Sequence, residues 1–150
     1  MSFVKIWVHL VFTTKYRKPW LNREVRYKVH QHIAENCRKK DIFLQAINGY
    51  NDHMHCLISL GKDQSIAQVA QLIKGESSFW INKNNLIPEK FMWQDDYYAN
   101  SVSDSKVEII IRYIQNQEQH HSKQSFEEEV KALLEICNKQ FVTEKIVENA

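Results

Sequence analysis

The sequence predicts an α+β fold: an antiparallel four-stranded sheet with two helices on one face, followed by two further helices. Three observations carry that expectation. Apolar residues alternate in strand fashion in separate stretches, helical apolar spacing fills the intervals, and the elements run β-α-β-β-α-β-α-α. Glycine (3) and proline (2) are scarce, which favours long continuous elements over a loop-rich scaffold.

The elements follow in order. Val4 to Thr14 alternates, with Val4, Ile6, Val8, Leu10 and Phe12 on one face and Lys5, Trp7, His9, Val11 and Thr13 on the other. Asn22 can cap a helix running to about Lys40, with Val25, Val29, Ile33 and Cys37 at helical spacing. Ile42 to Tyr50 reads as the second strand, with Asn48-Gly49 as a turn-prone pair. His53 to Leu60 is the third strand and its hairpin partner. Ser65 caps a second helix carrying Ile66, Val69, Ala70 and Ile73, which runs on to Trp80 despite Gly75. The polar stretch Asn82 to Glu89 contains Pro88 and reads as a loop. Phe91 to Val102 is the fourth strand. Ser105 with Glu108 reads as a capping box that opens a helix to about His121, its buried stripe being Val107, Ile110, Ile111 and Ile114. Ser125 with Glu128 opens a last helix, about 125–141, with Val130, Leu133, Leu134 and Cys137 aligned. The first six elements have the split βαβ order of ferredoxin-like folds.

At 150 residues, with 43% hydrophobic and 25% charged residues, the chain is expected to form one domain over 1–150, its core spanning about 4–121. No signal peptide and no apolar run long enough to span a membrane is evident, so a cytoplasmic protein with no membrane partner is expected. Cys37, Cys56 and Cys137 are odd in number and far apart, which fits a reducing compartment and no disulfide framework. The net charge of +2 alone does not announce a nucleic-acid binder. Its distribution says more: Lys15, Arg17 and Lys18 lie among Tyr16 and Trp20, and "CRKK" adds a second basic cluster, while acids gather late.

Two sets of residues could carry chemistry. In "NDHMHCLI", His53 and His55 are one residue apart, so on a strand they share a face with Leu57 and Ser59. Met54, Cys56, Ile58 and Leu60 form the opposite, wholly apolar face and fit the helix-covered core. The histidines are thus expected on an open face, either as surface residues or as two ligands to one divalent ion. On the helix after the fourth strand, Tyr113 lies roughly 120° from the centre of the isoleucine stripe. Gln117 follows at i+4, and His120 shares that flank. Tyr113 can be an exposed tyrosine or a nucleophile. No glycine-rich phosphate loop, GxSxG or HExxH occurs. Glu127 to Glu129 are explained by the dipole of the helix they open, and Cys56 points to the core.

Together these pieces resemble the single-tyrosine HUH transposases, short insertion-sequence enzymes that act on single-stranded DNA. "HLVFTTKYRKPWL", "NDHMHCLISL", "IAQVAQLIKGESS", "MWQDDYYANSV" and "IRYIQNQ" carry the likeness, over about Val4 to His121. REP-associated transposases look similar but tend to carry proline where Gln117 stands. Relatives often have glycines where this chain has Gln94 to Asp96.

The resemblance implies Mg²⁺ or Mn²⁺ held by His53, His55 and Gln117, with Tyr113 as nucleophile forming a 5′-phosphotyrosine link, and no nucleotide cofactor. It further implies single-stranded DNA with hairpin ends as partner, and a homodimer whose tyrosine helix can act in trans. Lys15, Tyr16, Arg17, Lys18 and Lys74 are the expected DNA contacts, with Trp20 also available for stacking. A domesticated HUH nickase of the REP-associated type and a non-enzymatic single-stranded nucleic-acid-binding module are the alternatives.

Overall fold

A computed structural model describes residues 1–121, 128–132 and 135. Its sheet has strands β1 (Ile6–Thr13), β2 (Phe43–Tyr50), β3 (His53–Leu60) and β4 (Tyr98–Val102) in the order β2-β3-β1-β4. Every strand pair is antiparallel, and Thr13 lies opposite His53 across β1 and β3.

Helices α1 (Arg23–Lys39) and α2 (Ile66–Lys83) cover one face of the sheet. Both start where the sequence places them. The Val25 N–H donates to Asn22 Oδ1 at 3.0 Å. Ser65 and Gln68 form a reciprocal capping box, which satisfies two N–H groups left unpaired by the first turn. Between these helices and the sheet lies an apolar core. Leu10 and Phe12 enter it from β1, Met54, Cys56 and Ile58 from β3, Val29, Ile33 and Cys37 from α1, and Val69, Ala70, Ile73 and Ile81 from α2. In β2 an irregularity between Leu44 and Ala46 lets both Leu44 and Ile47 turn toward this core, although they are an odd number of residues apart.

The other face is not open, contrary to the alternation argument. Helix α3 (Val107–Gln115) lies across it, and Leu57, Val102, Ile110, Tyr113 and Ile114 form a second apolar cluster there. Strand alternation shows which residues share a face. It does not show what covers that face, and the covering came from the isoleucine stripe of α3 itself.

Several boundaries differ from expectation. Asn48 and Gly49 belong to β2, and the turn falls at Asn51 and Asp52. A Cβ at Gly49 would collide with the His53 carbonyl oxygen, so this glycine serves close strand approach rather than the turn. The fourth strand begins at Tyr98, not Phe91. Phe91 and Trp93 turn their rings into the first core, and only a single bridge joins Trp93 to Thr14. The Ser105–Glu108 capping box does not form. Asp104–Lys106 is a 3-10 turn, and the cap of α3 is Lys106, with no side-chain hydrogen bond.

The helix predicted to reach His121 breaks at Asn116, whose φ/ψ of −100°/24° ends α3, and α4 (Gln117–His121) follows. Of the last predicted helix, residues 128–132 are helical, while Ser125, Leu133, Leu134 and Cys137 lie outside the described residues. Among the described residues no helix is long and apolar enough to cross a membrane.

Candidate active site

β3 delivers His53 and His55 to the second face, beneath α3 and α4, and both are fully buried. The break at Asn116 matters here. It places Gln117 as the first residue of α4, with Oε1 at 3.3 Å from His53 Nε2 and Nε2 donating to the Tyr113 carbonyl oxygen at 3.4 Å. Tyr113 packs edge-on to His55, ring centroids 5.9 Å apart and planes at 69°. It is 9% exposed, so the flank expected to face away from the core is inside the second cluster. The four residues singled out by sequence therefore meet within one chain.

A further member was missed. Glu129, fully buried, places Oε1 at 2.7 Å from His55 Nε2 and Oε2 at 3.2 Å from His53 Nε2. Ligand-type atoms of His53, His55 and Glu129 all lie within 4.8 Å of one another. The helix dipole accounts for acids in a first turn, but it gives no reason to bury one. No local sequence signal separates Glu129 from Glu128, which is exposed.

Two supporting residues were also missed. His53 Nδ1–H donates to Asp52 Oδ1 at 2.7 Å, and His55 Nδ1 shares a 2.8 Å hydrogen bond with His9 Nε2. His9 lies on β1 and is fully buried. Its signal was present in the alternation of β1, which put it on the face opposite the apolar core. Such outer partners fix which ring nitrogen is free and where it points.

The donor chemistry tests whether a cation fits. With Nδ1–H committed to Asp52, a neutral His53 aims its Nε2 lone pair at Gln117 Oε1 and Glu129 Oε2. His55 Nδ1 and His9 Nε2 share one proton: when His55 donates it, the His55 Nε2 lone pair faces Glu129 Oε1, and when His9 donates it, His55 Nε2–H donates to that oxygen. At His53 an acceptor thus faces two acceptors, an arrangement that a proton on Nε2 or a metal ion between them satisfies. Two imidazoles, one carboxylate and one amide oxygen make a mixed nitrogen and oxygen set, so the residues fit a divalent cation.

The titration behaviour agrees. Burial pulls the His53 imidazolium down, yet the hydrogen bonds it donates to Asp52 and Glu129, together with their charges, outweigh burial and hold His53 above its ordinary value. His9 is held well below its ordinary value, first by burial and then by the neighbouring His55. Burial, then the Glu129 charge, pushes the Tyr113 phenol up, while hydrogen bonding with Gln117 acts the other way.

The expected DNA contacts lie around the same end of the sheet. Lys15–Arg17 form a 3-10 turn directly after β1, with Tyr16 and Arg17 in the left-handed region (φ 57° and 55°) and Tyr16 80% exposed. Arg17 pairs with Asp52 at 3.4 Å and so contacts the residue that holds His53. Lys18 lies 3.6 Å from Glu89, and the Trp20 indole N–H donates to the same carboxylate. Lys74 Nζ donates to the carbonyl oxygens of Gln94 (2.7 Å) and Asp95 (2.8 Å). It therefore holds the segment that leads into β4.

Comparisons with known proteins place the chain among transposases. The sequence profile of the family described as transposase, IS200-like, matches residues 2–117, and the chain belongs to that family. Its fold is similar to a Deinococcus radiodurans R1 protein described as a transposase, with 25% identity and a TM-score of 0.61 over 77% of this chain and 93% of that one. It is also similar to a REP-associated tyrosine transposase bound to a REP hairpin, with 19% identity and a TM-score of 0.55 over 77% of this chain and 68% of that one. Comparison with curated proteins gives no significant match.

Proposed function

We propose that this transposase cleaves and rejoins single-stranded DNA through a covalent 5′-phosphotyrosine at Tyr113. The observation that supports this most directly is the meeting of Tyr113 with His53, His55 and Gln117 in one buried cluster whose donor atoms fit a cation. A Mg²⁺ or Mn²⁺ ion held by His53, His55 and Gln117, with Glu129 as a further ligand, would supply Lewis-acid polarisation of the scissile phosphate.

The chain's own residues do the rest. The Tyr113 phenol oxygen attacks phosphorus and gives up its proton. The P–O3′ bond breaks, and the departing oxygen takes a proton to become the 3′-OH. A second 3′-OH reverses the step and joins new ends. The new ester conserves the energy of the broken one, so the reading calls for no nucleotide cofactor. Leu57, Ile110 and Ile114 around the phenol keep water away from that ester. His9 and Asp52 orient the histidine rings. With Glu129 seated, His53, His55 and Gln117 expose no surface, so the phosphate reaches them once Glu129 withdraws.

DNA is held by Lys15, Arg17 and Lys18 at phosphates and by Tyr16 through stacking, with Lys74 acting through the segment it holds. The REP-associated relative bound to a hairpin supports hairpin-ended single strands as the substrate. A homodimer exchanging tyrosine helices remains part of this reading, as does a cytoplasmic site of action. A non-enzymatic binding module has no use for a buried histidine pair beside a tyrosine.

The test is incubation with labelled single strands copied from the DNA flanking the gene, plus Mn²⁺. A covalent protein–DNA band on a denaturing gel is expected, and Tyr113→Phe should abolish it while leaving binding intact. A band that persists in Tyr113→Phe overturns the assignment and turns attention to Tyr97 and Tyr98.

A further inference from the structure

Gly75 sits in the interior of α2, where glycine is a poor helix former and alanine a good one. Nothing requires it sterically: no atom lies within 4 Å of the position a Cβ would take. The space it leaves belongs to an open cavity of about 480 Å³ between α2 and the segment 90–97. That volume lies in the range of small-molecule sites, roughly 300–1,000 Å³.

The cavity has a defined character. Phe91 and Trp93, buried in the first core, line its inner side, while Met92 and Tyr97 are 43% and 39% exposed in its walls. Gln71 and Ser78 of α2 add polar edges. The wall is held in place by Lys74, which caps the carbonyls of Gln94 and Asp95 and lies 5.7 Å from the Tyr97 ring centroid. It is also tied to the basic turn beside the candidate active site. The Lys15 N–H donates to the Met92 carbonyl (2.9 Å), the Gln94 N–H to the Thr13 carbonyl (2.8 Å), and the Tyr16 N–H to Gln94 Oε1 (3.4 Å). Thr13 is the residue opposite His53.

We propose that this cavity receives one unpaired base of the single-stranded DNA whose phosphates follow the Lys15–Lys18 turn toward His53. The inference rests on the reading of the chain as a single-stranded DNA enzyme. A heterocycle fits better than a phosphate. Apolar and aromatic walls suit a flat π-face, and Gly75 lets that face approach the helix backbone. Gln71 and Ser78 can meet the polar edge of a base. Asp95 and Lys90 both line the cavity and oppose each other in charge, so its apolar and aromatic walls, rather than net charge, favour the base. The Lys74 ammonium is already occupied with backbone carbonyls.

The experiment uses the full chain and labelled single strands copied from the DNA flanking the gene, with affinity read by fluorescence anisotropy. Gly75→Met fills the cavity from a position where added atoms meet nothing, so its thermal midpoint should match or exceed that of the parent. Its affinity should fall about 10- to 100-fold, the loss expected for one stacked base. Met92→Ala, which removes a wall, should weaken binding in the same direction. Unchanged affinity in a folded Gly75→Met protein overturns the proposal, and should that variant fail to fold, unchanged affinity in Met92→Ala does so instead. The Tyr113 adduct, scored on the same strands, separates the two readings. An adduct with affinity indifferent to Gly75→Met refutes the cavity alone. A 10-fold loss in Gly75→Met without any adduct in the parent supports the cavity and refutes the covalent mechanism.

Discussion

The two faces of the sheet are built from the same strands and do different work. On β3, Met54, Cys56 and Ile58 point into a core that is almost wholly apolar, its Ser77 hydroxyl accepting from the Trp93 indole, and that is sealed by α1 and α2. The residues alternating with them, His53, His55 and Leu57, point into a second interior where five buried polar side chains, from His9, His53, His55, Gln117 and Glu129, lie among Leu57, Val102, Ile110 and Ile114. The first face gains stability from area removed from water. The second spends part of that gain on buried polar groups that must satisfy one another. The difference teaches where chemistry can be placed: on the face whose packing does not have to hold the sheet together alone.

The sharpest way to break this division is at the two residues that represent it. Tyr113→Phe removes one hydroxyl from the second face. Covalent adduct formation should fall by at least about 10³-fold, because no other group supplies the nucleophile, while urea denaturation shifts by less than about 1 kcal/mol. Ile58→Ala on the first face should do the reverse. Ile58 is fully buried, so the change should cost about 2–5 kcal/mol in urea denaturation and leave adduct formation per folded molecule unaltered. A loss of activity in Ile58→Ala at full folding would show that the faces are not separable.

Glu129 sharpens the comparison next. As a ligand beside His53 and His55, its replacement in Glu129→Ala should weaken Mn²⁺ binding to the DNA-free protein by about 10-fold or more, measured by calorimetry. At saturating Mn²⁺ the adduct should form at least as fast as in the parent, since the side chain that shields the histidines is gone. Unchanged Mn²⁺ affinity would remove Glu129 from the ligand set.

Much of this was legible in the sequence, and the illegible part has a common cause. Period-2 alternation fixed β3 at His53–Leu60 and separated the histidines from the apolar residues, because that pattern is local. Side-chain caps at Asn22 and Ser65 are also local, and both helices began there. What failed was long-range. Asn48-Gly49 has turn composition, but contact with His53 across the hairpin keeps it in the strand. The helix spacing of Tyr113 and Gln117 suggested one continuous flank, yet the break at Asn116 gives Gln117 its own approach to His53. Glu129 reaches the histidines only through the fold, so nothing near it in sequence could announce the contact.

His30, on α1 near the junction of the two faces, offers the smallest effect and tests whether that junction is electrostatically independent of the site. Its ring Nε2 is buried, and burial, then the Arg26 cation, lowers its pKa to about 4 while Glu118 opposes. Tyr27 completes its surroundings, with ring centroids 6.1 Å apart. In the unfolded chain the imidazole takes up a proton near its ordinary value of 6.5. Between the two values the unfolded state binds more protons, so stability falls as the pH is lowered through that window and is fully present above it. Because the residue is only half-buried, the loss attributable to it should be about 1–2 kcal/mol rather than the full amount of the shift. His30→Gln removes the titration without removing polarity. Denaturation curves collected from pH 7 to pH 4 should show a shallower acid slope in this variant than in the parent, with His9 and the carboxylates supplying what remains. Equal slopes would mean that His30 is solvated enough to titrate normally. The α1–α4 junction would then be more open to water than the part-buried Arg26–Glu118 contact at 2.7 Å implies.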